Sequence, residues 1–358
     1  GVMALIGALC YAEVGCAYPK SGGEYLFLSR LYHPFMGYLA GWVSLLVGFA
    51  APVALAAMAL GAYLSNVMAI PSETLAVGAV VLISLIHSFN IRTSSRFQSL
   101  ATWFKVLLIA FLIGAGLLLT PEASALDFSG AWTAEVVTPS FAIAFVYVSY
   151  SYTGWNAAAY IIEEVDRPRI NLPKALVQGT LLVTLLYVGL QLVFLKHGTL
   201  EALQGALDVG HIFATNVFGT KGASLINLLI AFFLISSISA MVWVGPRVSM
   251  AMGTDYRLWG FLKRKNKQGI PVAAIWFQAA ISIVYVLTGT FESVLLYCGF
   301  ILQLSSALTV AGVFVLRRRN ANSENFKAPW HPLLPTAFLL LSLWILGYLL
   351  VNLSLIHI

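Results

Sequence analysis

The chain has 358 residues, of which 60% are apolar and only 9% are Asp, Glu, Lys or Arg. A soluble domain carries about 25% charged residues, so water cannot be the solvent for most of this surface and lipid must be. The formal net charge of +6 does not point to nucleic acid, because the basic residues fall in loops between apolar runs, the pattern of membrane topology.

In chain order, ten apolar runs approach or exceed the length of about 20 residues that spans a bilayer. They are Gly1–Ala17, Pro34–Val67, Thr74–Phe89, Thr102–Leu119, Thr138–Ile162, Lys174–Phe194, Ala223–Val244, Pro271–Leu287, Phe291–Leu316 and Leu333–Val351. Continuously apolar runs predict helices, not barrel strands. The second run is too long to stand upright, so a tilt or a bend near Pro52 is expected. Its Gly37 and Gly41 form a small-xxx-small pair suited to close helix packing. With loops placed on alternating sides, 18 of the 20 basic residues share one side and only Lys196 and Lys221 take the other. The basic side is cytoplasmic. The outer loops hold Glu73, Glu122, Asp127, Glu135, Glu201, Asp208 and Glu292. The chain therefore reads as a multi-pass protein of the plasma membrane.

The chain opens at Gly1 inside an apolar run, so an upstream segment is expected. Residues 1–351 form one transmembrane domain, and the tail 352–358 resembles translated adapter sequence. Cys10, Cys16 and Cys298 form no CxxC pair and read as small packing residues, with no metal site. The six histidines are scattered, and no HExxH, GxSxG or Asp-rich motif appears. That argues against a membrane enzyme and gives no cofactor. No repeated pore-lining sequence favours a channel.

The most informative stretch is Thr138 to Leu176. Its helix weakens at Tyr150-Ser151-Tyr152-Thr153-Gly154-Trp155-Asn156, resumes at Ala157–Ile162, and meets Pro168 and Asn171-Leu172-Pro173, which should block continuation. A broken helix at membrane depth must line a cavity, where its freed backbone groups can hold a zwitterion or an ion. An unbroken helix with one glycine is the alternative reading of the same residues.

Tyr152-Thr153-Gly154-Trp155-Asn156, followed by Glu163-Glu164-Val165-Asp166-Arg167-Pro168-Arg169-Ile170-Asn171-Leu172-Pro173, resembles the sixth span and following loop of the amino acid–polyamine–organocation permeases. The similarity is greatest to the L-type amino acid transporters and bacterial amino acid permeases. Ala8-Leu9-Cys10-Tyr11-Ala12-Glu13 with Pro19-Lys20-Ser21-Gly22-Gly23-Glu24-Tyr25 resembles the second span and first cytoplasmic loop of that family. The resemblance implies an all-α leucine-transporter-like fold of two inverted five-helix repeats, with the ten spans corresponding to the family's second to eleventh. It implies alternating-access, sodium-independent transport of an amino acid by exchange or proton symport, with a polyamine or other organocation as the alternative cargo. It also implies that half of the substrate site belongs to a first span preceding Gly1, so that this stretch alone transports poorly.

By position, the resemblance assigns the carbonyls of Tyr150, Ser151 and Thr153 to the substrate amine, the ring of Tyr150 to closure over substrate, and the break to Gly154. Asn156 would bond substrate or steady the unwound segment, and Trp155 reads as packing. Lys105 either snorkels to the interface or fills the space that sodium takes in sodium-driven relatives, with Ser236, Ser237 and Ser239 completing that site or serving only as backbone-bonded packing. Glu13 is read as structural or gating, and Glu163 and Glu164 as cytoplasmic salt-bridge acids. The expected contacts are an amino acid and the lipid bilayer, not nucleic acid. Substrate identity and any partner subunit are not legible.

Overall fold

A backbone without water must satisfy its own N–H and C=O groups, and only a helix does so within one segment. The computed structural model describes residues 1–89, 92–120, 124–125, 138–319 and 325–356, and no strand occurs among them. In chain order the helices are α1 (Val2–Ala17), α2 (Glu24–Leu31), α3 (Pro34–Val43), α4 (Ala51–Ser65), α5 (Ser72–Phe89), α6 (Arg92–Leu118), α7 (Pro139–Ser151), α8 (Pro168–Lys196), α9 (Leu200–Leu203), α10 (Val209–Asp255), α11 (Val272–Thr288), α12 (Phe291–Arg319) and α13 (Leu333–Ile356). Among the described residues, seven helical stretches are long and apolar enough to cross a membrane, and α1, Ser140–Ser151 and α11 are shorter apolar helices. Together they coincide with the ten apolar runs of the sequence.

Contacts between loops sort into two sets, as alternating topology requires. On one side Glu163 N–H donates to Ser21 Oγ, Tyr256 OH to the Pro34 carbonyl and Asn266 to the Ser88 carbonyl. On the other, Asn66 donates to Asp208 at 2.8 Å, and Lys196 Nζ to the carbonyls of Gly116, Leu117 and Leu119 at 2.9 Å. Glu122, Asp127 and Glu135 lie outside the described residues, as do the side chains of Arg92 and Arg96.

The long second run contains a π-helical stretch, Ser44–Ala50, just before Pro52. Pro52 has no N–H for the Gly48 carbonyl, and the wider turn absorbs the mismatch. Gly37 and Gly41 pack as their spacing suggested. A Cβ on Gly37 would lie 2.6 Å from the Tyr25 carbonyl oxygen, and one on Gly41 would lie 2.7 Å from Met252 Sδ.

Four boundaries differ from the sequence reading. The loop after α1 contains a helix, α2, with Phe27, Leu28 and Leu31 buried. Pro168 and Pro173 do not stop the chain; α8 begins at Pro168, with Pro173 inside it. Proline is tolerated in a first turn, and the Arg169 carbonyl that Pro173 leaves without an N–H accepts the Cys16 thiol at 3.7 Å. α10 starts at Val209, not Ala223, because Gly219 (φ 71°) kinks an outer segment into the span. α13 runs to Ile356, past Val351; residues 357–358 and the side chains from 352 onward lie outside the described residues.

α1 is central. Tyr11, Ala12, Val14 and Cys16 are buried against Phe27, Ile162, Leu172, Val310 and Phe338, contributed by α2, the segment after α7, α8, α12 and α13. α6 and α8 are peripheral, with Leu107, Phe111, Leu185 and Val188 exposed. In a bilayer those apolar surfaces face lipid.

Candidate functional site

Helix α7 ends at Ser151, and the chain turns through 152–156 before a 3₁₀ helix, Ala157–Glu164. Gly154 has φ +95°, and a Cβ there would meet no atom within 4 Å. The glycine is therefore required by backbone conformation and not by space. Gly154→Ala is expected to cost about 1–3 kcal/mol of backbone strain with no added clash, read as a lowered denaturation midpoint in detergent. An unchanged midpoint would mean that the chain relaxes to an ordinary helix here.

The break is partly closed from inside. The Tyr150 carbonyl accepts both the N–H (2.8 Å) and Oγ1–H (2.7 Å) of Thr153. The Ser151 carbonyl accepts Tyr187 OH at 3.0 Å, and Ser151 Oγ turns back onto the Val148 carbonyl at 2.7 Å. Both lone pairs of the Tyr150 carbonyl are thus engaged, and the Ser151 carbonyl keeps one free. The Tyr150 hydroxyl, by contrast, is buried without a hydrogen-bond partner among the described residues, a condition that costs about 1–3 kcal/mol unless a guest relieves it. It adjoins a small cavity of about 30 Å³ with Thr153, Gln303 and Ser306. Beside it lies a cavity of about 350 Å³ lined by Ser149, Tyr152, Trp155, Gln303 and the start of α1. That volume lies at the lower end of the small-molecule pocket range.

Asn156 is buried and donates from Nδ2 to Glu24 Oε1 at 2.8 Å. Its amide is thus held by α2. Trp155 packs edge-on against Tyr11 with ring centroids 4.7 Å apart, in space that Gly7 leaves for it.

Lys105, on α6, donates from Nζ to Ser237 Oγ of α10 at 2.9 Å. The structure thus joins two residues 132 positions apart that the sequence singled out. Ser236 is buried and points about 100° further round the helix. Two residues beyond Ser237, Ser239 Oγ meets His87 Nε2 of α5 at 2.8 Å.

A third cavity, of about 460 Å³, opens on the cytoplasmic side among Ser21, His87, Glu163, Glu164, Trp243 and Arg247. Although larger, it holds a half-exposed ion pair, Glu164–Arg247 at 2.7 Å. Such exposed pairs contribute about 0–1 kcal/mol. Arg247 also lies 3.9 Å over the Trp243 ring. Among the described residues Glu163 joins no ion pair; its N–H is tied to Ser21 at 3.4 Å.

Glu13 is 3% exposed and pairs two-pronged with Arg317, Nε to Oε1 and Nη2 to Oε2, both at 2.7 Å. Sequence reading missed Arg317 as its partner, and likewise His87, Tyr160 and Glu24. Glu24 had a visible signal, a lone acid directly after Gly22-Gly23. Gly23, at φ +54°, leaves the space that the Tyr160 ring fills.

The amino acid permease family model matches residues 1–356. The b(0,+)-type amino acid transporter 1 of Homo sapiens is 29% identical over 326 residues, covering 88% of this chain and 67% of the relative. The Mus musculus protein of that name is 27% identical over 356 residues, 97% of this chain and 72% of the relative. The large neutral amino acids transporter small subunit 2 of Mus musculus is 27% identical over 334 residues, covering 88% of this chain and 62% of the relative.

Proposed function

The chain belongs to the amino acid permease family, and from that premise we propose that it carries neutral amino acids by alternating access, independently of sodium, as an exchanger or proton symporter. The family is one of integral membrane transporters, not enzymes, and the relatives' names are those of amino acid transporters. The observation that carries the site is the unpartnered Tyr150 hydroxyl beside the break and its 350 Å³ cavity. Of the carbonyls at the negative end of α7, that of Ser151 keeps a free lone pair for a substrate ammonium, whereas that of Tyr150 already accepts twice from Thr153. The mostly aromatic and apolar lining supports a neutral side chain. The Lys105 ammonium, bonded to Ser237, supports sodium independence by holding a positive charge where a cation would otherwise be needed.

The test is uptake of a labelled amino acid panel by the full-length gene product in liposomes, with and without sodium. Tyr150→Phe removes only the hydroxyl. It is expected to raise KM about 2- to 10-fold, the worth of one neutral hydrogen bond, while thermal stability holds or rises. An unchanged KM for every transported amino acid would remove Tyr150 from the site, and uptake that requires sodium would overturn the coupling reading.

A further inference from the structure

We infer that Glu24 is a proton-binding site that couples protonation to the broken helix: its carboxylate is the shared acceptor for donors from three separate elements, and among the described residues no cation pairs with it. Tyr11 OH of α1 donates to Oε1 at 2.7 Å, Asn156 Nδ2 from the break donates to the same oxygen at 2.8 Å, and Tyr160 OH of the 3₁₀ helix donates to Oε2. Glu24 is 4% exposed. Among the described residues the ion pairs are Glu13–Arg317 and Glu164–Arg247, so neither takes Glu24.

The other groups around it are neutral or engaged elsewhere. Tyr11 has Thr309 and Ser306 of α12 as further neighbours, and Tyr160 has Ser44 of the π-helical stretch. On α2 itself, Tyr25 turns to Asp255 of α10, and Arg30 is exposed. Of the neighbouring α3, Tyr38 meets Trp259. Burial raises the Glu24 carboxyl above the usual carboxylate range, and the hydrogen bonds from Tyr160, Tyr11 and Asn156 oppose that rise.

An ionised carboxylate accepts from all three donors at once. A protonated one keeps acceptor capacity but must itself donate from one oxygen; on Oε1, which already accepts from both Tyr11 and Asn156, the added proton displaces one of them or turns the Asn156 amide over. Because Asn156 ties the break to α2 on the cytoplasmic side, a proton on Oε1 loosens the tie between the broken helix and the cytoplasmic layer. Losing it restores the tie. A route for the proton to and from the cytoplasmic side is the cavity lined by Ser21, three residues before Glu24. Proton coupling of transport rests on the transport reading above; the proton site itself does not.

The experiment uses the full-length protein in two assays. In infrared pH-difference spectra, a protonated-carboxyl band should titrate in the wild type and vanish in Glu24→Gln. In liposomes, wild-type uptake should change several-fold between acidic and neutral pH, at most about tenfold per pH unit for one proton. Glu24→Gln should give a flat profile. Tyr160→Phe, which keeps the carboxyl and removes a donor to its charged form, should shift the midpoint upward; it also serves as the test if Glu24→Gln does not fold. A folded Glu24→Gln protein that keeps the band or the pH dependence overturns the proposal, as does a wild type with no titrating band. A titrating band in a protein that moves no amino acid at any pH sinks the transport reading and leaves the proton site standing.

Discussion

Glu13→Ala is expected to lower the unfolding free energy of the detergent-solubilised protein by about 3–5 kcal/mol, the cost of breaking a buried ion pair by removing one partner. The basis is a closed ring of bonds. Arg317 grips both carboxylate oxygens of Glu13, its Nη2 also donates to the Ala328 carbonyl, and the Ala328 N–H returns to Glu13 Oε2, each at 2.7 Å. One side chain thus ties the central α1 to the cytoplasmic end of α12 and to the segment leading into α13. The two partners are unequally buried, at 4% side-chain exposure for Glu13 and 23% for Arg317. Arg317→Ala should therefore cost at least as much as Glu13→Ala, since it strands the more buried charge. The double variant Glu13→Leu with Arg317→Met should recover a large part of either loss, as apolar replacements of whole buried pairs do. The check is a denaturation series on all four proteins. Single variants within about 1 kcal/mol of wild type would show the ring to be solvated and a topology marker only.

Legibility differed between features for identifiable reasons. Helix spans announce themselves by length and hydropathy, so the ten apolar runs and ten helices coincide. Boundaries set by proline were misjudged, because the carbonyl that Pro173 leaves free finds its donor in a thiol, Cys16, more than 150 residues away. The outer segment of α10 was missed because the Asp208-to-Lys221 stretch reads as a polar loop until Gly219 is seen to kink it into a continuing helix. The break at Gly154 was legible because glycine between hydroxylated and aromatic residues weakens a helix locally. What Asn156 touches was not, since Glu24 was read as a loop acid and its burial arises only when α2, Tyr160 and α1 close around it. Pairwise chemistry across distant helices is three-dimensional information. The Lys105–Ser237 contact became guessable only because the family resemblance placed both residues at one ion site.

Lys105→Ala is expected to reduce the initial rate of uptake roughly ten- to hundred-fold, which corresponds to the 1.5–3 kcal/mol of one hydrogen bond to a charged group. An ammonium at membrane depth is expensive and is retained where it has work to do. Here it bridges α6 and α10, the helix that also carries Ser239 against His87 and Arg247 against Glu164. Removing the charge leaves Ser237 bonded only to the Phe233 carbonyl among the contacts described, at 3.2 Å. Ser237→Ala keeps the charge and removes one acceptor, so its loss should be smaller, about 2- to 10-fold. If the ammonium stands in for a cation, sodium should restore part of the uptake of Lys105→Ala while leaving the wild type and Ser237→Ala unaffected. That cross-comparison separates a charge requirement from a packing one. Equal losses in Lys105→Ala and Lys105→Met with no sodium response would overturn the reading that the ammonium stands in for a cation. Full uptake by a folded Lys105→Met protein would reduce Lys105 to a snorkelling side chain and shift the coupling question to Glu24.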